Sequence, residues 1–390
     1  MSSIRGAVAI LAIGTLCAAL RAQVDHVAID RRVDVLGGRA FGEAGAYEKL
    51  SGSLHFAFDP DAPGNRAVVD LGLAPRDGHG RVHARADLFV LQPKDQTRRS
   101  GIGLLEVSNR GGKGLLPRFC FARGSANPTE AADFGDGLLL EQGLTLIWVG
   151  WQWDVPARDG LLRLDTPIAH DGDAPIRGLV RADWTVEQDS KTLELGHRGQ
   201  IPYAVADTDD PRNVLTARKG PEAPREVVPR AHWQFTEDGQ NIALDGGFHA
   251  GTIYELVYVG VDPRVVGLGL AAIRDAIAFA KHDASCPFPV EQAIAVGISQ
   301  SGRFLRHFLW LDFNTDLQDR AVFDGLMVLV AGAGRGSFDH RFAQPSRDGH
   351  RLAAFLFPTD LFPFSSRAQE DPVTGIRSRS SKGAPSTSPG

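Results

Sequence analysis

The segment from Ala293 to Arg303 constrains this chain more than any other. It reads Ala-Ile-Ala-Val-Gly-Ile-Ser-Gln-Ser-Gly-Arg and continues as Phe-Leu-Arg-His-Phe-Leu. A short apolar run bounded by a turn signal reads as a buried strand, and the apolar spacing that follows reads as an amphipathic helix. Between them, Gly297, Ser299, Ser301 and Gly302 keep the turn free of bulky side chains. A strand that turns this sharply into a helix lifts the turn residue above the sheet and aims the helix N-terminus at whatever sits there. Ser299, two residues after Gly297, is therefore the expected nucleophile. Ser301 is its rival, but Arg303 is too bulky for the position that a turn centred on Ser301 would give it. Both serines also suit the start of a helix, where Ser is a favoured cap. Capping alone does not explain glycine on both sides of the pair.

Around this turn the chain alternates strands and helices. The expected elements are strands at Gly103–Val107, Leu144–Val149, Gly251–Val259, Ala293–Val296 and Phe323–Val330. Helices are expected over Phe134–Gln142, Val265–Lys281 and Ser301–Leu311. Such alternation predicts an α/β fold with a parallel sheet covered by helices. Two β-rich stretches flank the first core segment. Residues 23–100 hold short alternating runs such as Gly52–Phe58 and Arg81–Val90. Residues 156–249 lose helical periodicity and read as an insertion of strands and loops. The division is then 1–22 leader, 23–100 β-rich region, 101–155 first core part, 156–249 insertion, 250–375 second core part with the turn, and 376–390 tail. The tail is rich in Ser, Arg, Lys, Gly and Pro, a composition that does not build a core.

Residues 1–22 read as an export signal. Arg5 precedes the apolar stretch Gly6–Leu20, and Ala22 offers a small residue at a cleavage point before Gln23. Removal of Arg5 and Arg21 leaves 40 basic residues against 47 acidic ones, from 42 and 47 in the full chain. No basic surplus exists to neutralise phosphates, so nucleic acid is not an expected partner. No later stretch is apolar enough to span a bilayer, so no membrane contact is expected after signal cleavage. The expected location is secreted or periplasmic. That compartment permits a disulfide between Cys120 and Cys286, although two buried free thiols is the preferred reading.

Several runs together carry a family resemblance. They are Gly297–His307, Val330–Phe338 (Val-Ala-Gly-Ala-Gly-Arg-Gly-Ser-Phe), His340–Gly349, Pro358–Pro363, Val107–Gly111 and Asp262–Leu270. With them the chain resembles a family of exported bacterial alpha/beta hydrolase domain-containing proteins over about Val24 to Thr374. The resemblance implies a serine hydrolase, esterase-like, acting on a small-molecule ester with no cofactor. It also implies a longer chain whose final strands carry the catalytic histidine. Here the likeness ends near Gly375, where a basic, Ser-rich run begins. A reading-frame slip would leave such an ending, so the expectation is an incomplete hydrolase sheet with little esterase activity.

Acyl transfer needs an oxyanion hole, a base, and an acid that orients the base. The amide of Gln300 and the loop at Asn109 and Arg110 are the expected oxyanion-hole region. Three histidines follow Ser299. His307 falls two helical turns along and reads as structural. His340 and His350 sit in the loop after the last core strand; His340 is the weak base candidate, and Asp360, with Asp339 beside it, the weak acid candidate. Arg335 or Arg347 is expected to shape the site by binding a carboxylate. The alternative function is a non-catalytic, secreted ligand-binding pseudo-hydrolase, with Trp148, Trp151 and Trp153 stacking on a ligand. Gly332–Gly336 lacks the spacing of a dinucleotide loop, and no Cys/His cluster has zinc spacing.

Overall fold

The computed structural model describes residues 23–347, 356, 358 and 360–379. The expected leader 1–22, His350 and the end of the tail lie outside the described residues. The fold is α/β, built on one mixed sheet. Its long strands are β1 (Val24–Asp34), β2 (Gly45–Phe58), β3 (Val82–Pro93), β4 (Ile102–Val107) and β5 (Thr145–Val149). An accessory antiparallel sheet uses β6 (Arg177–Thr185), β7 (Val214–Arg218) and β8 (Ile253–Val261). The main sheet then resumes with β9 (Gln292–Ile298) and ends at β10 (Gly325–Leu329). Its order is β1-β2-β3-β5-β4-β9-β10. Strands β1 to β3 run antiparallel, β3 pairs antiparallel with β5, and β5, β4, β9 and β10 are mutually parallel.

Two expectations change here. The N-terminal β-rich region is not separate from the core: Leu88 faces Val149 and Leu91 faces Leu146, so β3 joins it to the parallel strands in one sheet. The strand expected at 251–259 is not a core strand. It forms β8, which pairs with β6 and β7, and the insertion therefore extends to about Val261. Periodicity could not assign that strand, because an apolar strand looks the same in either sheet. The helix expected over Phe134–Gln142 is two short helices, Ala131–Phe134 and Leu138–Glu141, separated where Gly135 and Gly137 take positive φ. At the tail, Arg377–Ser378 pairs with Gln369–Glu370, so its first residues are ordered strand.

β4, β5 and most of β9 are buried on both faces, which is why their sequences are nearly continuous apolar runs. Leu105, Ile147, Val149 and Ala295 join one core; Leu104, Leu146, Trp148 and Val296 join the other. The first core is covered by two long helices, α1 (Leu268–His282) and α2 (Gln300–Trp310). Cys120 and Cys286 are both buried and free, one in each core, so the expected free thiols are what the fold contains. No helix of the described residues is long and apolar enough to cross a membrane.

Candidate active site

β9 delivers Ser299 to the rim of the sheet. The backbone there takes φ 58° and ψ −115°, a region that residues with a side chain rarely occupy. Ser299 is exposed, its amide donates to the Leu329 carbonyl of β10 at 2.9 Å, and α2 begins at the next residue. The glycines around it are steric requirements. A Cβ on Gly297 would lie 2.4 Å from the Ser301 carbonyl oxygen, and one on Gly302 would lie 2.7 Å from the Ala331 Cβ. Ser301 is 2% exposed and donates its hydroxyl to the Ile298 carbonyl at 3.1 Å. It braces the turn from beneath, which leaves Ser299 as the presented hydroxyl.

The register places the expected oxyanion loop at the same rim. Val296 of β9 is paired with Glu106 of β4 in parallel, so Ser108–Gly111 leaves the sheet beside Ser299. Arg110 and Gly111 both have positive φ, and a Cβ on Gly111 would strike the Leu162 backbone at 2.7 Å. Arg110 Nη1 donates to Asn109 Oδ1 at 3.0 Å, and Trp151 Nε1 donates to the Ser108 carbonyl at 2.6 Å, which fixes the loop. The Gln300 amide is one of the first N–H groups of α2 and has no partner within the helix. Its side chain donates to the Arg347 carbonyl at 2.6 Å and ties the later loop to the turn.

The expected base and acids do not join Ser299. His307 is fully buried, with Nε2 2.8 Å from Asp339 and Nδ1 3.2 Å from Arg335 Nη1. Arginine only donates, so Nδ1 accepts and the ring proton on Nε2 goes to Asp339. Eight residues along α2 from Ser299 correspond to about 12 Å of helix axis, so this cluster lies well below the turn. Burial pushes the Asp339 carboxyl up, but the His307 hydrogen bond and the neighbouring histidines outweigh it and hold it below its ordinary value. His340 lies 4.0 Å from the same carboxylate, and burial pushes its ring down despite that charge. It therefore belongs to the His307 level. Asp360 is exposed and lies against Gly334. Among the described residues no histidine bonds the Ser299 hydroxyl. Arg335 stacks on Trp310 at 3.6 Å instead of facing the turn, and Arg347 lies 3.8 Å from Asp183.

Residues 241–383 match an alpha/beta hydrolase domain. No curated protein and no solved structure matches the chain. The matched segment contains α1, β9, the Ser299 turn, α2 and β10, but not the Ser108–Gly111 loop.

One residue at this rim was missed by the sequence reading. Asp154, five residues after β5, is buried and accepts from the Ser346 hydroxyl at 2.6 Å and the Ser346 amide at 3.0 Å. Burial pushes its carboxyl up to about 6, against the pull of those bonds and of Arg110. Gln152 and Tyr203 add bonds to Pro345 and Ala343, so the 337–347 loop is held against the core by buried donors and acceptors. The tryptophans expected to stack on a ligand are packing residues. Trp148, Trp151 and Trp153 are at most 9% exposed, and their indole N–H groups are spent on Glu106, Ser108 and Ala343. No group of three or more His, Cys, Asp or Glu among the described residues is arranged to hold a metal.

Proposed function

We propose that this is an exported serine hydrolase-type protein that cleaves carboxylic esters through an acyl-enzyme on Ser299, and that its turnover is impaired for want of a placed base. The observation that carries the reading is the strained, exposed Ser299 between β9 and α2, with bracing glycines and the Asn109–Arg110 loop beside it. Ser299 attacks the ester carbonyl, and the Gln300 amide with the 109–110 loop supports the developing oxyanion. With no histidine among the described residues bonded to Ser299 to take the hydroxyl proton, attack and deacylation are both expected to be slow.

A fluorophosphonate probe and p-nitrophenyl acetate test this. Slow labelling is expected, abolished by Ser299→Ala and kept by Ser301→Ala, with ester turnover about 10⁴-fold or more below an intact triad enzyme. Turnover at ordinary rates that disappears in His350→Ala or His340→Ala would replace the impaired reading with an active one. Labelling that survives Ser299→Ala would remove the nucleophile assignment. The second reading, a non-catalytic ligand-binding protein, is favoured by the absence of any histidine bonded to the Ser299 hydroxyl among the described residues, and gains if no labelling occurs at all.

A further inference from the structure

Gln23 is the first described residue and is only 6% exposed. Its Oε1 accepts from Asn65 Nδ2 at 2.7 Å and lies 3.4 Å from Arg274 Nη2. Its Nε2 is buried and has no partner among the described residues. The main-chain carbonyl is used as well, accepting from the Ala57 amide at 3.0 Å. Arg274 has no exposed surface, and its guanidinium also binds Asp275, Asn65 Oδ1 and the Gly64 carbonyl. Among the described residues this pocket therefore binds a carbonyl oxygen and offers no acceptor to the amide nitrogen beside it. A buried donor without an acceptor costs stability.

Signal removal after Ala22 would make matters worse for an unmodified chain. It would create an α-ammonium on Gln23, a residue with almost no exposed surface. Burying an ammonium there is opposed by desolvation.

We propose that the exported chain begins at residue 23 and that Gln23 is cyclised to pyroglutamate; this rests on the export reading above. The α-amine nitrogen attacks the side-chain Cδ, a nitrogen–Cδ bond forms, and the Cδ–Nε2 bond breaks. Nε2 leaves as ammonia, and the α-nitrogen remains as a neutral lactam N–H. No oxidant or second substrate is consumed. The product keeps a carbonyl oxygen for Asn65 and Arg274, loses the unpartnered donor, and buries no ammonium.

The test is the mass of the N-terminal peptide, after expressing the full chain with its own leader in a host that exports it. A synthetic open peptide carried through the same work-up controls for cyclisation during handling. The expected peptide starts at residue 23, is lighter than the open form by one ammonia, and resists Edman degradation. Pyroglutamyl peptidase is expected to release the residue only after the protein is unfolded. A peptide starting elsewhere overturns the proposal through its export premise. A peptide starting at Gln23 with its amide and free amine intact overturns the cyclisation while leaving cleavage standing. Neither result bears on Ser299, whose labelling is read separately.

Discussion

Ser299 carries its function and its cost in the same backbone angles. A left-handed φ of 58° on a residue with a Cβ is a local strain of about 1–3 kcal/mol. Glycine meets no such penalty, at the expense of a more flexible unfolded chain. Ser299→Gly is therefore expected to raise stability by about 1 kcal/mol in urea unfolding while abolishing probe labelling. A destabilised variant would mean that the serine side chain holds the turn and is not strained by it. The turn was legible in the sequence because small residues between a strand and a helix have few other uses. The partners of Ser299 were not legible. His340 and Asp339 are adjacent in sequence, but His307, itself bonded to Arg335, captures the carboxylate at a lower level of the fold. Nothing in spacing alone reports which turn of α2 a later loop will meet.

At the scale of elements, the question is what holds the 337–347 loop over the core. Ser346 grips Asp154 through both its hydroxyl and its amide, and the carboxyl is fully buried. Its folded-state value of about 6 lies above the ordinary range of an aspartate, about 4. The folded protein then binds the proton more tightly than the unfolded chain, so stability contributed by protonated Asp154 is present below about pH 4. It is lost as pH rises through 6. The span corresponds to about 3 kcal/mol as an order of magnitude. Asn cannot titrate, so the stability difference between wild type and Asp154→Asn should fall by about 2–3 kcal/mol between pH 4 and 7. Denaturant midpoints at the two pH values measure it, and a pH-independent difference would show that the carboxyl is ionised throughout. Asp154 escaped the sequence reading because Gln-Trp-Asp after a strand carries no motif; only the fold brings Ser346 to it. The strands themselves were readable, since both-face burial demands apolar runs, whereas sheet membership of Ile253–Val261 was set by pairing partners far away in the chain.

For the molecule as a whole, the main sheet closes differently at its two ends. β1 at one edge is mostly polar or half-exposed, with Asp25, His26, Asp30, Arg31 and Arg32 along it. Such charges discourage another strand from adding on. β10 at the other edge pairs only with β9 among the described residues, and its sequence is Gly-Leu-Met-Val-Leu. Leu326 and Val328 turn toward the core, while Met327 and Leu329 are 38% and 37% exposed and Val330 is 82% exposed. An apolar edge strand is a template for association. That β10 pairs on one side only among the described residues agrees with the sequence, where no clear strand pattern follows Val330. The polarity of β1 was equally visible, but its place at the far edge was not, because order in a sheet is not written in the order of the chain. The expected behaviour is concentration-dependent self-association through β10. Met327→Lys combined with Val330→Lys should raise the concentration at which light scattering begins at pH 7. Both side chains point to solvent, so the cost in stability should stay within about 0.5 kcal/mol per site. Scattering that is unchanged by the two lysines would place the association elsewhere on the surface. A large loss of stability would show that these side chains are covered in solution, and that the edge is packed against something other than water.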